Sequence, residues 1–305
     1  MEYAVTTREL TKKFGAFTAV NKLTINIKRG EIYGFLGPNG SGKSTTIRML
    51  CGILEPTSGS GSVLGYDLAR EPEKIKSKIG YMSQKFSLYD DLTVYENLNF
   101  YAGMYSIPRR ERQQRIRDMI DMALLTGREK ELAANLGGGL KQRLALGCAI
   151  ISRPFILFLD EPTSGVSPTS RRMFFKIIQK LAAGGTTVMV TTHFMDEAER
   201  CHNIAFISEG ALIANDTPDN LKRTVIRGCM VEVEIPDALN KIAELEGLPY
   251  VRECSIHGAV VHVLLESGDY VRDLEMYTGI GATVITPSLE DVFISLSRQR
   301  KKVAQ

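Results

Sequence analysis

The sequence is poor in several features that would commit it to a class. Its 305 residues hold five cysteines, an odd number with no Cys-x-x-Cys spacing, so neither a disulfide framework nor a thiolate zinc site is expected. The thiols Cys51, Cys148, Cys201, Cys229 and Cys254 read as reduced and mostly buried, as in a cytosolic protein. Cys201 and His202 are adjacent, a poor arrangement for sharing one metal. No apolar run reaches the roughly 18 residues that a bilayer span requires. The longest candidate, around Leu144 to Leu159, is broken by Arg153-Pro154. A net charge of only +3 argues against a basic nucleic-acid-binding face. There is no internal repeat or low-complexity tract, and the start, Met1-Glu-Tyr-Ala, reads as lacking a signal peptide. What remains, 44% apolar and 24% charged, is an ordinary globular composition. The length suggests one large domain and one small one.

Against this plain background one segment stands out: Gly37-Pro38-Asn39-Gly40-Ser41-Gly42-Lys43-Ser44-Thr45. It follows the apolar run Ile32-Tyr-Gly-Phe-Leu36 and opens a helical pattern with Ile47, Leu50, Cys51 and Leu54 on one face. Strand, glycine loop and helix start are the context a phosphate-binding loop requires. Glycines let backbone N–H groups converge on phosphate oxygens, and the helix N-terminus adds its positive end. In that reading Lys43 reaches the β- and γ-phosphates of a nucleoside triphosphate and the Ser44 hydroxyl ligates Mg²⁺.

Along the chain, Ala4-Val-Thr-Thr and Leu23-Thr-Ile-Asn-Ile27 alternate like antiparallel strands, with a turn at Lys13-Phe-Gly-Ala. From Phe86 to about Cys148 the pattern is helical. Tyr95, Leu98, Tyr101 and Ala102 share one face, and Ile116, Met119, Ile120 and Ala123 form a second stripe. Phe155 to Leu159 and Thr187 to Thr191 resemble buried parallel strands, separated by helical patterns from Thr169 to Ala183 and Met195 to Cys201. The expected fold is α/β. After Asn215-Asp-Thr-Pro-Asp219 a second unit starts, with strand Met230–Ile235, helix Asp237–Glu246, strands Val251–Ser255 and Ala259–Leu265, helix Tyr270–Thr278 and strand Ala282–Ile285. This β-α-β-β-α-β order is that of the ferredoxin-like split unit. A boundary is expected near residues 220–228, giving domains 1–225 and 226–305.

Phe155-Ile-Leu-Phe-Leu-Asp160-Glu161 is an apolar strand ending in two acids. Behind a phosphate loop, the first suits Mg²⁺ and the second suits a general base for attacking water. Gln84 after Ile79-Gly-Tyr-Met-Ser, the segment Gly137-Gly138-Gly139-Leu-Lys-Gln-Arg143, the strand end Asp160-Glu-Pro-Thr-Ser-Gly165, and His193 after Val190-Thr-Thr follow in order. Together they resemble the ATPase subunit of ATP-binding cassette (ABC) transporters, over residues 1 to about 228. The resemblance implies a P-loop NTPase fold with a RecA-like core, an antiparallel β subdomain and an α-helical subdomain at about 86–150. It implies ATP and Mg²⁺ as cofactors, Phe14 stacking on adenine, and Gln84 at Mg²⁺ and the attacking water. It further implies Glu161 as catalytic base and His193 as a γ-phosphate sensor. Pro287-Ser-Leu-Glu-Asp-Val-Phe293 resembles the tail of cassettes that serve ABC-2 type exporters.

Two positions depart from the family pattern. Its Leu-Ser-Gly-Gly signature reads Leu136-Gly137-Gly138-Gly139 here, and its Ser-Gly-Leu-Asp-Pro reads Ser164-Gly165-Val166-Ser167-Pro168. Because family cassettes pair head to tail, Gly137 to Gly139 would serve a partner chain's ATP, in a homodimer or a heterodimer. The other implied partner is a separate membrane permease, with the chain cytoplasmic and peripheral on the cytoplasmic face. A soluble non-transport ABC ATPase and a weakly hydrolysing regulatory cassette are the alternatives. The aromatic cluster Phe86, Tyr89, Tyr95, Phe100, Tyr101 and Tyr105 lies where the family docks its permease, most of its rings being expected in the core. The tail Arg298, Arg300, Lys301 and Lys302 reads as a solvated end.

Overall fold

The computed structural model describes residues 2–85 and 87–304, without the side chains of residues 301–304. Phe86 and the side chains of Lys301 and Lys302 therefore lie outside the described residues. The chain divides into two compact units, Met1–Asn215 and Asp216–Gln305.

The first unit opens with β1 (Tyr3–Phe14), β2 (Phe17–Leu23), β3 (Asn26–Lys28) and β4 (Ile32–Leu36), followed by α1 (Lys43–Leu50), β5 (Ser58–Val63), β6 (Tyr66–Asp67), α2 (Pro72–Lys76) and β7 (Ile79–Met82). Three helices come next: α3 (Val94–Met104), α4 (Arg109–Met122) and α5 (Gly138–Ile150). The unit closes with β8 (Ile156–Asp160), α6 (Pro168–Ala183), β9 (Thr187–Thr192), α7 (Met195–Ala198), β10 (Asn203–Ser208) and β11 (Ala211–Asp216).

Two sheets form. β2-β1-β5-β6 is an antiparallel layer with β3 also paired to β1, and the six-stranded sheet runs β11-β10-β4-β9-β8-β7. β10, β4, β9, β8 and β7 are parallel neighbours. Every residue of β4, β8 and β9 is buried, which explains why they do not alternate between apolar and charged residues: a parallel strand covered on both faces has no solvent side to present. Register puts Leu36 beside Thr192, and Asp160 beside Thr191. The loops that follow β4, β8 and β9 thus leave the same edge of the sheet, where open α/β sheets bind their ligands.

The helical part has its own core, built on Val94, Leu98, Ala102, Ile116, Ile120, Leu144 and Cys148. α3 begins at a capping box: Thr93 Oγ1 accepts from Glu96 N at 3.2 Å and Glu96 Oε2 accepts from Thr93 N at 2.8 Å. Fully buried Asn97 donates to the carbonyls of Tyr89, Leu92 and Thr93, tying the preceding loop to the helix. The rings around it are less buried than the sequence suggested. Tyr89, Tyr95 and Phe100 are all exposed, and among the described rings of the cluster only Tyr101 and Tyr105 pack against the core. The face that α3 buries is filled by aliphatic residues and Asn97, so the larger rings are displaced outward.

The second unit contains α8 (Pro218–Val225), β12 (Cys229–Val233), α9 (Ala238–Glu246), β13 (Val251–His257), β14 (Val260–Leu265), α10 (Val271–Thr278), β15 (Thr283–Val284) and α11 (Leu289–Ala304). Its sheet order is β13-β14-β12-β15, with every pairing antiparallel. That order satisfies a split β-α-β unit, the two crossing helices separating β12 from β13 and β14 from β15. The division falls earlier than the expected 225/226 boundary, because α8 packs on α11 at the end of the chain. The basic tail also differs from expectation. Arg298 donates to Glu246 Oε1 at 2.5 Å and to the Cys254 carbonyl at 2.9 Å, so it pins α11 to the sheet. Cys51, Cys148, Cys201 and Cys254 are buried and Cys229 is partly exposed, all of them free thiols.

Candidate nucleotide-binding site

The loop between β4 and α1 takes its shape from its glycines. Gly42, the residue before α1, has φ +100°, a left-handed conformation that L side chains rarely adopt. A Cβ there would also lie 2.3 Å from the Ala19 carbonyl, and one on Gly37 would lie 2.1 Å from the Ile207 carbonyl. The loop is therefore pressed against its surroundings by backbone alone. Lys43 turns back across it, donating to the carbonyls of Gly37 at 2.8 Å and Pro38 at 3.1 Å.

The acids at the end of β8 meet this loop. Asp160 Oδ1 accepts from the Ser44 hydroxyl at 2.9 Å and from the Thr191 hydroxyl at 2.9 Å. Burial pushes the Asp160 carboxyl above its ordinary range; those two hydroxyls and Lys43 pull it back in part, while Glu161 adds to the rise. Glu161 Oε1 lies 3.1 Å from Lys43 Nζ, both side chains being under a tenth exposed. Its other oxygen accepts from the Gln84 amide at 3.1 Å and lies 3.7 Å from His193 Nδ1. One carboxylate thus gathers Lys43, Gln84 and His193 from three separate segments. Glu161 also has φ +46°, a strained backbone for a non-glycine residue costing on the order of 1–3 kcal/mol. Its N–H donates to Thr191 Oγ1 at 2.8 Å, and Gln142 donates to the carbonyl of the next residue, Pro162. These contacts hold the turn in place.

A cleft of about 350 Å³ opens beside the loop, lined by residues that include Phe14, Phe17, Lys43, Ser44, Gln84 and Glu161. Gly40, Asn39, Gly42 and Thr45 also face it. Phe14 and Phe17 are 50% and 62% exposed, leaving two flat apolar rings at the lip, and the Lys12 ammonium lies 5.3 Å from the Phe14 ring centre. Gly137, Gly138 and Gly139 are not among its lining residues. They form the start of α5, with Gly137 at the N-cap.

Three residues of this constellation escape a sequence reading: Phe17, Thr191 and Glu197. Thr191 couples the two acids, and only its position beside Asp160 in the sheet reveals that. Glu197, 1% exposed, accepts from Thr192 Oγ1 at 2.6 Å, and the same hydroxyl accepts from Phe194 N at 3.0 Å. Glu197 thereby fixes the bend that carries His193. Burial holds its carboxyl above the ordinary range, against the pull of hydroxyls from Thr163 and Thr192.

The family model for ABC transporters matches residues 20–164. Over nearly the whole chain, the linearmycin resistance ATP-binding protein LnrL of Bacillus subtilis is 31% identical across 300 residues, 94% of this chain and 96% of that protein. The chain belongs to the ATP-binding proteins of ABC transporters. Members of this family are ATPases. The Nod factor export ATP-binding protein I of Rhizobium leguminosarum is 36% identical over 293 residues, covering 94% of this chain and 93% of that one. A probable multidrug ABC transporter ATP-binding protein of Escherichia coli, YbhF, is 51% identical over 221 residues; those cover 72% of this chain but only 38% of that protein. Among solved structures, a Clostridium perfringens subunit described as part of the cbiONQ ABC transporter complex superposes with a TM-score of 0.68 at 27% identity, covering 73% of this chain and 92% of that one. A dimeric cassette in a post-hydrolysis state, bound to ADP and Pi, gives 0.64 at 28% identity over 70% of this chain and 98% of that one. Among the described residues of this ABC cassette, no helix is long and apolar enough to cross a membrane.

Proposed function

We propose that this chain is the ATP-hydrolysing subunit of an ABC-2 type exporter, working peripherally against a separate membrane permease. The observation that carries the catalytic part is the convergence of Lys43, Gln84 and His193 on the Glu161 carboxylate. In this reading the loop N–H groups and Lys43 bind the β- and γ-phosphates, and Phe14, with Phe17 beside it, stacks on the base. The Ser44 hydroxyl and Asp160 carboxylate, 2.9 Å apart, are hard oxygen donors that suit Mg²⁺. Mg²⁺ bound there, with Gln84 alongside, would neutralise charge on the phosphates. Glu161 takes a proton from the attacking water as its oxygen bonds to the γ-phosphorus and the bond to the ADP oxygen breaks. Gln84 orients that water, and His193 donates to the γ-phosphate.

Each ATP is completed by a second cassette in a head-to-tail pair, which accounts for the separation of Gly137, Gly138 and Gly139 from the cleft of their own chain. Gly137 lacks the hydroxyl that the family signature offers to the partner's γ-phosphate, so the partner's site is the weakened one. Relatives named for linearmycin resistance and Nod factor export, aligned over at least 93% of their own lengths, support the export role. The test is to co-purify the chain with a membrane protein encoded beside it and compare ATP turnover with and without candidate cargo. A complex whose turnover responds to cargo supports export; a neighbourhood with no protein of several spanning segments sinks it.

A further inference from the structure

In the second unit two imidazoles and a carboxylate converge. His257 ends β13, His262 lies in β14, and Asp291 sits in the first turn of α11. Asp291 Oδ1 lies 2.9 Å from His262 Nδ1 and 3.1 Å from His257 Nε2. The two rings stack with centres 3.8 Å apart. The Asp291 side chain is 1% exposed, and its other oxygen is already committed, accepting from the Ser288 N–H at 2.7 Å and hydroxyl at 2.8 Å. Oδ1 is thus aimed at the imidazoles by a fixed cap.

We propose that His257, His262 and Asp291 form a binding site for one divalent transition-metal ion of the zinc type. Three features argue for it. The ligand atoms all lie within 4.8 Å of one another, with N···O distances of 2.9 and 3.1 Å, and turning the stacked rings apart would bring both lone pairs onto one ion at about 2.0–2.1 Å. Each imidazole also presents its other nitrogen to a separate carboxylate: His262 Nε2 lies 3.6 Å from Glu232 Oε2, and His257 Nδ1 lies 3.8 Å from Glu290 Oε2. Drawn a few tenths of an ångström closer into hydrogen-bond reach, each carboxylate would favour the tautomer whose free nitrogen faces the metal and strengthen that nitrogen as a ligand. The sheet sets up the arrangement, since Glu232, His262 and Ser255 are direct neighbours across β12, β14 and β13.

Two nitrogens and one carboxylate oxygen select zinc-like ions over Mg²⁺ and Ca²⁺, which prefer all-oxygen shells. The histidine side chains are 14% and 10% exposed, so neither ring is sealed from solvent. A bound ion would clip α11 to the β13–β14 hairpin.

The test titrates the full-length chain, tag-free and stripped with chelator, with Co²⁺ followed by visible absorption, then with Zn²⁺ in competition. The expected result is one saturable equivalent per chain displaced by Zn²⁺, with affinity falling at least about 100-fold in His257→Ala and roughly 10- to 100-fold in Glu232→Gln. Thermal unfolding of each variant without metal checks the fold. Glu232 is only partly buried, so its variant decides the matter if His257→Ala does not fold. Unsaturable binding by the native chain, or unchanged affinity in the folded variants, overturns the proposal.

Discussion

A serine at Gly137 would separate helix capping from the phosphate recognition that the proposed head-to-tail pairing assigns to that position. Gly137 has φ −64° and ψ 155° at the N-cap of α5, an extended backbone open to any residue. A Cβ built there meets nothing within 4 Å. Gly137→Ser therefore fits without repacking, and as a better N-cap it should add only a few tenths of a kcal/mol. That is about 1 °C in melting temperature for a chain of this size. The effect on turnover should be far larger. A hydrogen bond donated to a charged phosphate contributes about 1.5–3 kcal/mol, which corresponds to roughly 10- to 150-fold in rate if it acts in the transition state. Gly139 supplies the contrast: its Cβ would lie 2.5 Å from Ser170 Oγ and 2.9 Å from Ser170 Cβ, so Gly139→Ser should lower stability.

The assay is steady-state ATP hydrolysis at saturating ATP, with thermal unfolding alongside. A mixing experiment then decides whether the serine acts across the dimer. A chain carrying Gly137→Ser together with Lys43→Ala, and so lacking a working loop of its own, should accelerate hydrolysis by the native chain. A well-folded Gly137→Ser chain with native turnover, alone and in mixtures, would refute the reasoning.

Three further outcomes are expected. Glu161→Gln should lower turnover by about 10²- to 10⁴-fold while fluorescent ATP still binds; equal loss of both would remove Glu161 from the role of base. Thr191→Val deletes a buried hydroxyl that donates to Asp160 and accepts from Glu161 N, and should cost about 1–3 kcal/mol in urea unfolding. Lys43→Ala leaves the Glu161 charge buried and unpaired, at a cost of about 3–5 kcal/mol, whereas the double variant Lys43→Ala, Glu161→Gln should recover much of that loss. Strictly additive unfolding energies would contradict the pair.

What could be read from the sequence was whatever the local chain dictates. The loop at Gly37–Thr45 is legible because Gly42 needs a left-handed backbone and Gly37 cannot carry a Cβ. β4, β8 and β9 are legible because burial on both faces removes the alternation between apolar and charged residues. The acids at the end of β8 were legible beside that loop. Features decided by contacts distant in sequence were not. Thr191 looks like any β-branched strand residue until the register sets it beside Asp160. Thr217 and Pro218 announce the start of α8, yet the unit it joins depends on α11, some seventy residues on. Arg298 reads as part of a solvated tail because its partners, Glu246 and Cys254, lie on another helix and on a strand. His257 and His262 gain meaning only when the hairpin and α11 bring Asp291 to both.

The Lys43–Glu161 pair shows why this site is better understood as chemistry than as a stabilising device. Removing two charges from water costs several kcal/mol per ion, and their attraction repays that only when the geometry is very good, so a buried pair is weak evidence of stability. A fold alone would be served as well by two apolar side chains of similar volume. Here the pair coexists with two further costs: a left-handed backbone at Glu161 and a neighbouring carboxylate, Asp160, whose burial opposes its own charge. Each is balanced by a specific contact, the first by Thr191 and the second by Ser44 and Thr191. Under the proposed function, a phosphate arriving at the loop would compete with Glu161 for the Lys43 ammonium, and would leave free a carboxylate already bonded to Gln84 and close to His193.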